Sequence, residues 1–88
     1  MTPAYAVEFT SAAARQVKKM PRLARDRVVV AVSALASDPR PHGSRKLVGE
    51  ENAWRIRVGD YRVIYEVFDR ELVVTVVRAA HRREVYER

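Results

Sequence analysis

Three arginines bracket a tight-turn signal: Arg55 and Arg57 precede Gly59-Asp60, and Arg62 follows it. A two-residue loop with glycine first is the II′ hairpin form. It sets Val58 opposite Tyr61, Arg57 opposite Arg62, Ile56 opposite Val63, Arg55 opposite Ile64 and Trp54 opposite Tyr65. Side chains alternate between the faces of a strand, so Arg55, Arg57 and Arg62 share one face. Like charges directly opposite each other destabilise a sheet by a few tenths of a kcal/mol up to ~1 kcal/mol. An anion between them accounts for the arrangement, and a guanidinium fork matches two phosphate oxygens. The alternative is that the side chains diverge into solvent, or that Glu66 offsets them. A second group of reactive residues is the run His81-Arg82-Arg83-Glu84-Val85-Tyr86. Directly after a strand, it can fold back beside the arginine face. His81 could move protons near neutrality, and nearby arginines favour the phenolate of Tyr86. Taken singly, His81 also reads as a surface residue and Tyr86 as a packing aromatic.

These residues need a sheet and something to cover its other side. Trp54, Ile56, Val58, Tyr61, Val63, Tyr65 and Val67 form an apolar face, and Leu72, Val74 and Val76 join it across a tight turn at Asp69-Arg70. That face must be covered, which leaves Arg62 facing solvent, together with Arg82 beyond the last strand. Upstream, Tyr5 to Phe9 alternates as a strand. Thr10 or Ser11 caps a helix over Ala12 to Lys19, with Ala13, Val17 and Met20 inward. Pro21 breaks it and suits the first turn of a second helix. Arg22 to Ser37 follows, with Ala24, Val28, Ala31, Val32 and Leu35 on one face. Residues 38–44 form a Pro- and Gly-containing loop, and a short extended piece near Arg45 leads to a turn at Gly49. The expected fold is α+β, in the order β-α-α-β-β-β. Two N-terminal helices pack on one face of a mostly antiparallel four-stranded sheet, making a single domain over residues 1–88.

The chain carries 17 Lys and Arg against 11 Asp and Glu, a net charge of +6. A basic excess dominated by arginine favours a polyanionic partner, nucleic acid or an acidic protein segment. Solubility alone is the other reading. No cysteine is present, which excludes disulfides and thiolate metal sites and suits a reducing cytoplasm. His42 and His81 are the only histidines, far apart and joined by no carboxylate motif, so no metal site is expected. With three glycines there is no Gly-rich phosphate loop, and no cofactor is expected. No long apolar run or secretion-signal pattern is present, so no membrane partner is expected.

Trp54-Arg55-Ile56-Arg57, Gly59-Asp60-Tyr61-Arg62-Val63-Ile64-Tyr65 and His81-Arg82 with Val85-Tyr86 resemble the RelE/ParE toxin superfamily, at matching distances over essentially the whole chain. Lys46-Leu47 resembles the segment that approaches the family's first long strand. The resemblance implies the toxin of a type II toxin–antitoxin module. For its RelE-type members it implies ribosome-dependent, metal-free cutting of translated messenger RNA by attack of a ribose 2′-hydroxyl on the adjacent phosphate. Carried over residue by residue, Arg62 and Arg82 would bind and stabilise the scissile phosphate. Tyr86 would stack on a base or assist proton transfer, and His81 lies where some subgroups carry a catalytic histidine. Arg55 and Arg57 stand where RelE-type enzymes often have two lysines, and Arg45 where the YoeB-like subgroup has an acid. With Lys46 and Arg83 they are expected to bind RNA. Arginine is no general base, so proton abstraction falls to His81 or Tyr86. The implied partners are an acidic, wrapping antitoxin, the ribosome and messenger RNA, in the cytoplasm. Two alternatives share the fold: a ParE-like inhibitor of DNA gyrase, and a catalytically weak relic that only binds antitoxin or nucleic acid.

Overall fold

The computed structural model describes the backbone of residues 4–86 and the side chains of residues 4–84. The elements are β1 (Ala6–Phe9), α1 (Ser11–Lys18), α2 (Arg22–Ala34), β2 (Arg45–Lys46), β3 (Ala53–Val58), β4 (Tyr61–Phe68), β5 (Val73–His81) and α3 (Arg82–Tyr86). The strands form one five-stranded sheet in the order β1-β5-β4-β3-β2. β1 runs parallel to β5, and the remaining pairs are antiparallel. The sheet thus has one strand more than expected, because the short piece at Arg45 pairs with β3. α3 is a further addition.

Local chemistry explains the helix ends. The Thr10 hydroxyl accepts from Ala13 N at 3.1 Å, capping α1 as its residue type suggests. α2 stops at Ala34 rather than Ser37. The backbone N–H groups of Leu35, Ala36 and Ser37 bond back three residues instead of four. This tighter winding is a common way to end a helix, and here Leu35 is fully buried.

Both long helices cover one face of the sheet. Ala13, Val17, Met20, Val28, Val32 and Leu35 meet Ile56, Val63, Tyr65, Val67, Val74, Val76 and Ala79 in a single core. Trp54 is only partly buried at its margin. Tyr65 is the largest fully buried side chain.

The two hairpin turns differ. Gly59 has φ +59, as a II′ turn requires of its first central residue, and the β3–β4 register is the expected one, Arg57 opposite Arg62 included. The β4–β5 turn is longer than the tight turn at Asp69-Arg70, since Phe68 pairs with Val73. Leu72 sits in that turn at φ +56, exposed and outside the core it was expected to join. Farther along, the register shifts between Ile64 and Tyr65: Tyr65 pairs with Val76, but Ile64 pairs with Arg78. Val77 is the extra residue of a β-bulge. Because side chains alternate, one inserted residue exchanges the faces of everything beyond it.

Candidate nucleic-acid interface

The face turned away from α1 and α2 carries the arginines. Arg57 stands opposite Arg62, and Arg45 opposite Arg55. In the same alternation Arg55 is a diagonal neighbour of Arg62, and the bulge makes Arg78 its diagonal neighbour from β5. Diagonal neighbours lie about 7–8 Å apart, within reach of long side chains. Arg62 is therefore central to a group of arginines contributed by β2, β3, β4 and β5. It was expected to face solvent, yet it is only 6% exposed, the one buried charged side chain among the described residues. Its strand partner Ala80 is buried on the same face, and α3 packs against both β4 and β5. Holding a guanidinium in so dry a position raises its electrostatic pull on an anion, because screening by water is reduced.

The outer strand of this face is anchored from the other side. Arg40 grips the Asp69 carboxylate with two bonds of 3.1 and 2.8 Å, and Tyr5 donates to the same carboxylate at 2.6 Å. The Arg40 guanidinium holds the Asp69 carboxyl below its ordinary range, with Tyr5 acting in the same direction. The same bond to Asp69 pushes the Tyr5 phenol up. Arg40 also lies over the Trp54 ring, 5.3 Å from its centre, and the Tyr65 hydroxyl donates to Pro39 O at 2.8 Å. Burial pushes the Tyr65 phenol up to about 12. These contacts fix the loop that delivers Arg45 to the sheet edge.

The bulge also decides where His81 goes. It pairs with Tyr61, and the two rings meet edge to face at 5.4 Å on the helix-covered side. His81 was expected beside the arginine face and is turned from it. Its Nδ1 accepts from Arg83 N at 3.3 Å, which leaves Nε2 to carry the proton of the neutral ring. Arg82 is exposed at the end of the sheet, where its N–H donates to Asp60 O at 2.8 Å. That is the end that carries Arg57 and Arg62. Arg83 is exposed on α3. Lys46, expected to bind phosphate, pairs with Trp54 and so shares the other face, where its Nζ donates to Glu50 O. Tyr86 ends α3, and its side chain lies outside the described residues.

Arg78 was missed. The signal for it was a change of phase in β5: apolar alternation runs through Val74 and Val76 and resumes at Ala79. The double valine at 76 and 77 left the point of change ambiguous. Among the described residues, no group of three or more His, Cys, Asp or Glu could hold a metal ion, and no helix is long and apolar enough to cross a membrane.

A small sheet with helices packed on one face is a fold shared with RelE-type toxins. In the toxin–antitoxin complex RelBE2 from Mycobacterium tuberculosis, the matched chain superposes with a TM-score of 0.80 at 30% identity, over 92% of this chain and 93% of that one. The archaeal RelE–RelB complex from Pyrococcus horikoshii gives 0.80 at 26% identity, over 90% and 96%. A double-arginine mutant of E. coli toxin RelE in the free state gives 0.78 at 26% identity, over 94% and 90%. Toxin RelG of Mycobacterium tuberculosis is 34% identical over 88 residues, covering 96% of this chain and 98% of the relative. Residues 7–86 match the family described as the ParE toxin of the type II toxin–antitoxin system parDE. The chain belongs to that family, within the RelE/ParE toxin superfamily.

Proposed function

We propose that this toxin is a ribosome-dependent endoribonuclease that cuts translated messenger RNA without a metal. The observation that carries the reading is the convergence of Arg55, Arg57 and Arg78 on the buried Arg62. In the reaction, the ribose 2′-oxygen forms a bond to the adjacent phosphorus, and the bond from phosphorus to the 5′-oxygen breaks. The 2′-hydroxyl gives up a proton and the leaving oxygen gains one, so the products are a 2′,3′-cyclic phosphate and a 5′-hydroxyl. Negative charge grows on the phosphorane oxygens, where fixed guanidinium donors stabilise it without reorganising. Arg62 holds the scissile phosphate, Arg55 and Arg57 support it, and Arg82 neutralises charge from the end of the sheet. Tyr86 is the proposed proton carrier, by its match to the family's C-terminal tyrosine. His81 enters only through a rearrangement of its turn.

The partner that restrains the toxin is proposed to be an antitoxin with an acidic segment, which a +6 chain attracts over long range. Relatives of this chain are found in complex with an antitoxin, RelB with RelE, in solved structures. The family match to ParE and the turn of His81 away from the arginines favour a second reading, inhibition of DNA gyrase without RNA cutting.

The test is cleavage of messenger RNA on programmed ribosomes in EDTA, run beside a gyrase supercoiling assay. Discrete cuts by wild type that disappear in Arg62→Ala are expected, with gyrase unaffected. Loss of supercoiling and no cutting by folded wild type overturns the ribonuclease reading in favour of the second.

A further inference from the structure

Arg78 owes its place to the bulge. Had the Tyr65–Val76 register continued, Arg78 would pair with Val63 and point into the core. With Val77 inserted it stands opposite Ile64 instead, beside Arg62 on the arginine face. Its Nη2 donates to Glu84 O at 3.2 Å. Glu84 is in turn tied to the strand end, its carboxylate accepting from His81 N at 3.0 Å. The Arg78 Nε is buried, and among the described residues it has no hydrogen-bond partner. An ionised donor held out of water without an acceptor is unfavourable, and an anionic oxygen is its natural complement.

We infer that Arg78 binds a second RNA phosphate, adjacent along the strand to the one held at Arg62. The inference rests on the ribonuclease reading for the nature of its ligand. Arg55 and Arg78 flank Ile64 from β3 and β5, two strand spacings or roughly 9–10 Å apart. Ile64 between them is an apolar floor on which a ribose or base can rest. RNA crossing the strands meets guanidinium, apolar floor and guanidinium in turn. Glu84 O is the positioning contact, because it holds the Arg78 side chain through Nη2 and leaves the buried Nε donor uncommitted, for a phosphate oxygen that displaces the cover over it.

The test uses the full chain and a short single-stranded RNA oligonucleotide, with affinity read by fluorescence anisotropy over a salt series. Each phosphate contact to a single strand contributes about 0.7 to the slope of log K against log salt. Arg78→Gln should lower the slope by about 0.7 and weaken binding about ten- to a hundredfold at low salt. Arg78→Lys should restore the slope, and Arg70→Ala in the β4–β5 turn should change neither quantity. A wild-type slope in folded Arg78→Gln overturns the inference, as does an equal fall in Arg70→Ala. Ribosomal cleavage separates this from the reading beneath it. If wild type cuts and Arg78→Gln cuts equally well with an unchanged slope, Arg78 alone is wrongly assigned. If wild type does not cut but the slope still falls in Arg78→Gln, the phosphate contact stands and the ribonuclease reading fails.

Discussion

Replacing Arg57 with threonine should make the domain more stable and a poorer toxin. Arg57 is exposed and stands directly opposite Arg62 in the β3–β4 ladder. Opposed side chains in such a pair have Cβ atoms about 4.5–5.5 Å apart, and like charges there are destabilising on the scale of ~0.2–1 kcal/mol. Threonine suits a strand and carries no charge, so the substitution removes the repulsion without a propensity penalty. A mid-range gain of ~0.5 kcal/mol raises Tm by about 2–4 °C in a domain of this size. Salt supplies the internal control. The Debye length falls from ~30 Å at 0.01 M to ~3 Å at 1 M, so the gain should be largest in dilute buffer and shrink at high salt. Thermal unfolding of wild type and Arg57→Thr at both salt concentrations measures it, with growth arrest on expression scored in parallel. A Tm at or below wild type in dilute buffer refutes the argument. A gain that is undiminished at 1 M salt shows that packing, not charge, was responsible.

Two further outcomes follow from the fold. The Tyr65 phenol is pushed up to about 12 from its ordinary 10.0, so its contribution to stability is complete below pH 10 and disappears as pH rises through about 12. Tyr65→Phe should lose one hydrogen bond at neutral pH, about 0.5–1.5 kcal/mol, and flatten the decline of denaturant-measured stability over that alkaline window; an unchanged decline contradicts the assignment. Leu72 is exposed and at φ +56, a conformation that costs a side-chain-bearing residue about 1–2 kcal/mol. Leu72→Gly should therefore raise Tm despite the greater freedom of glycine in the unfolded chain, and a lower Tm would show that Leu72 makes contacts worth more than its strain.

How much of the site was legible depended on sequence distance. The Arg57–Arg62 pairing could be read directly, because Gly59-Asp60 joins the two strands with a loop that permits one register. The inward faces of both helices were equally readable from their spacing. His81 was expected on the side it does not occupy, and the side of Lys46 was not legible at all, for separate reasons. Lys46 belongs to a two-residue strand whose pairing no local pattern announces. His81 lies beyond the bulge, and a single extra residue exchanges the two faces.

The amino-acid sequence alone thus determined the basic character of the molecule through its composition, and the start of the first helix and the hairpin that opposes two arginines through neighbours a few residues apart. Tertiary structure decided the rest. Whether Val77 is inserted or paired depends on how β5 fits between β1 and β4 while the helices pack on its apolar side. That fit takes His81 out of the arginine face and brings Arg78 into it. Burial of Arg62 likewise comes from elements remote in the chain, because the alternation of a strand specifies which face a side chain occupies and not what will cover it.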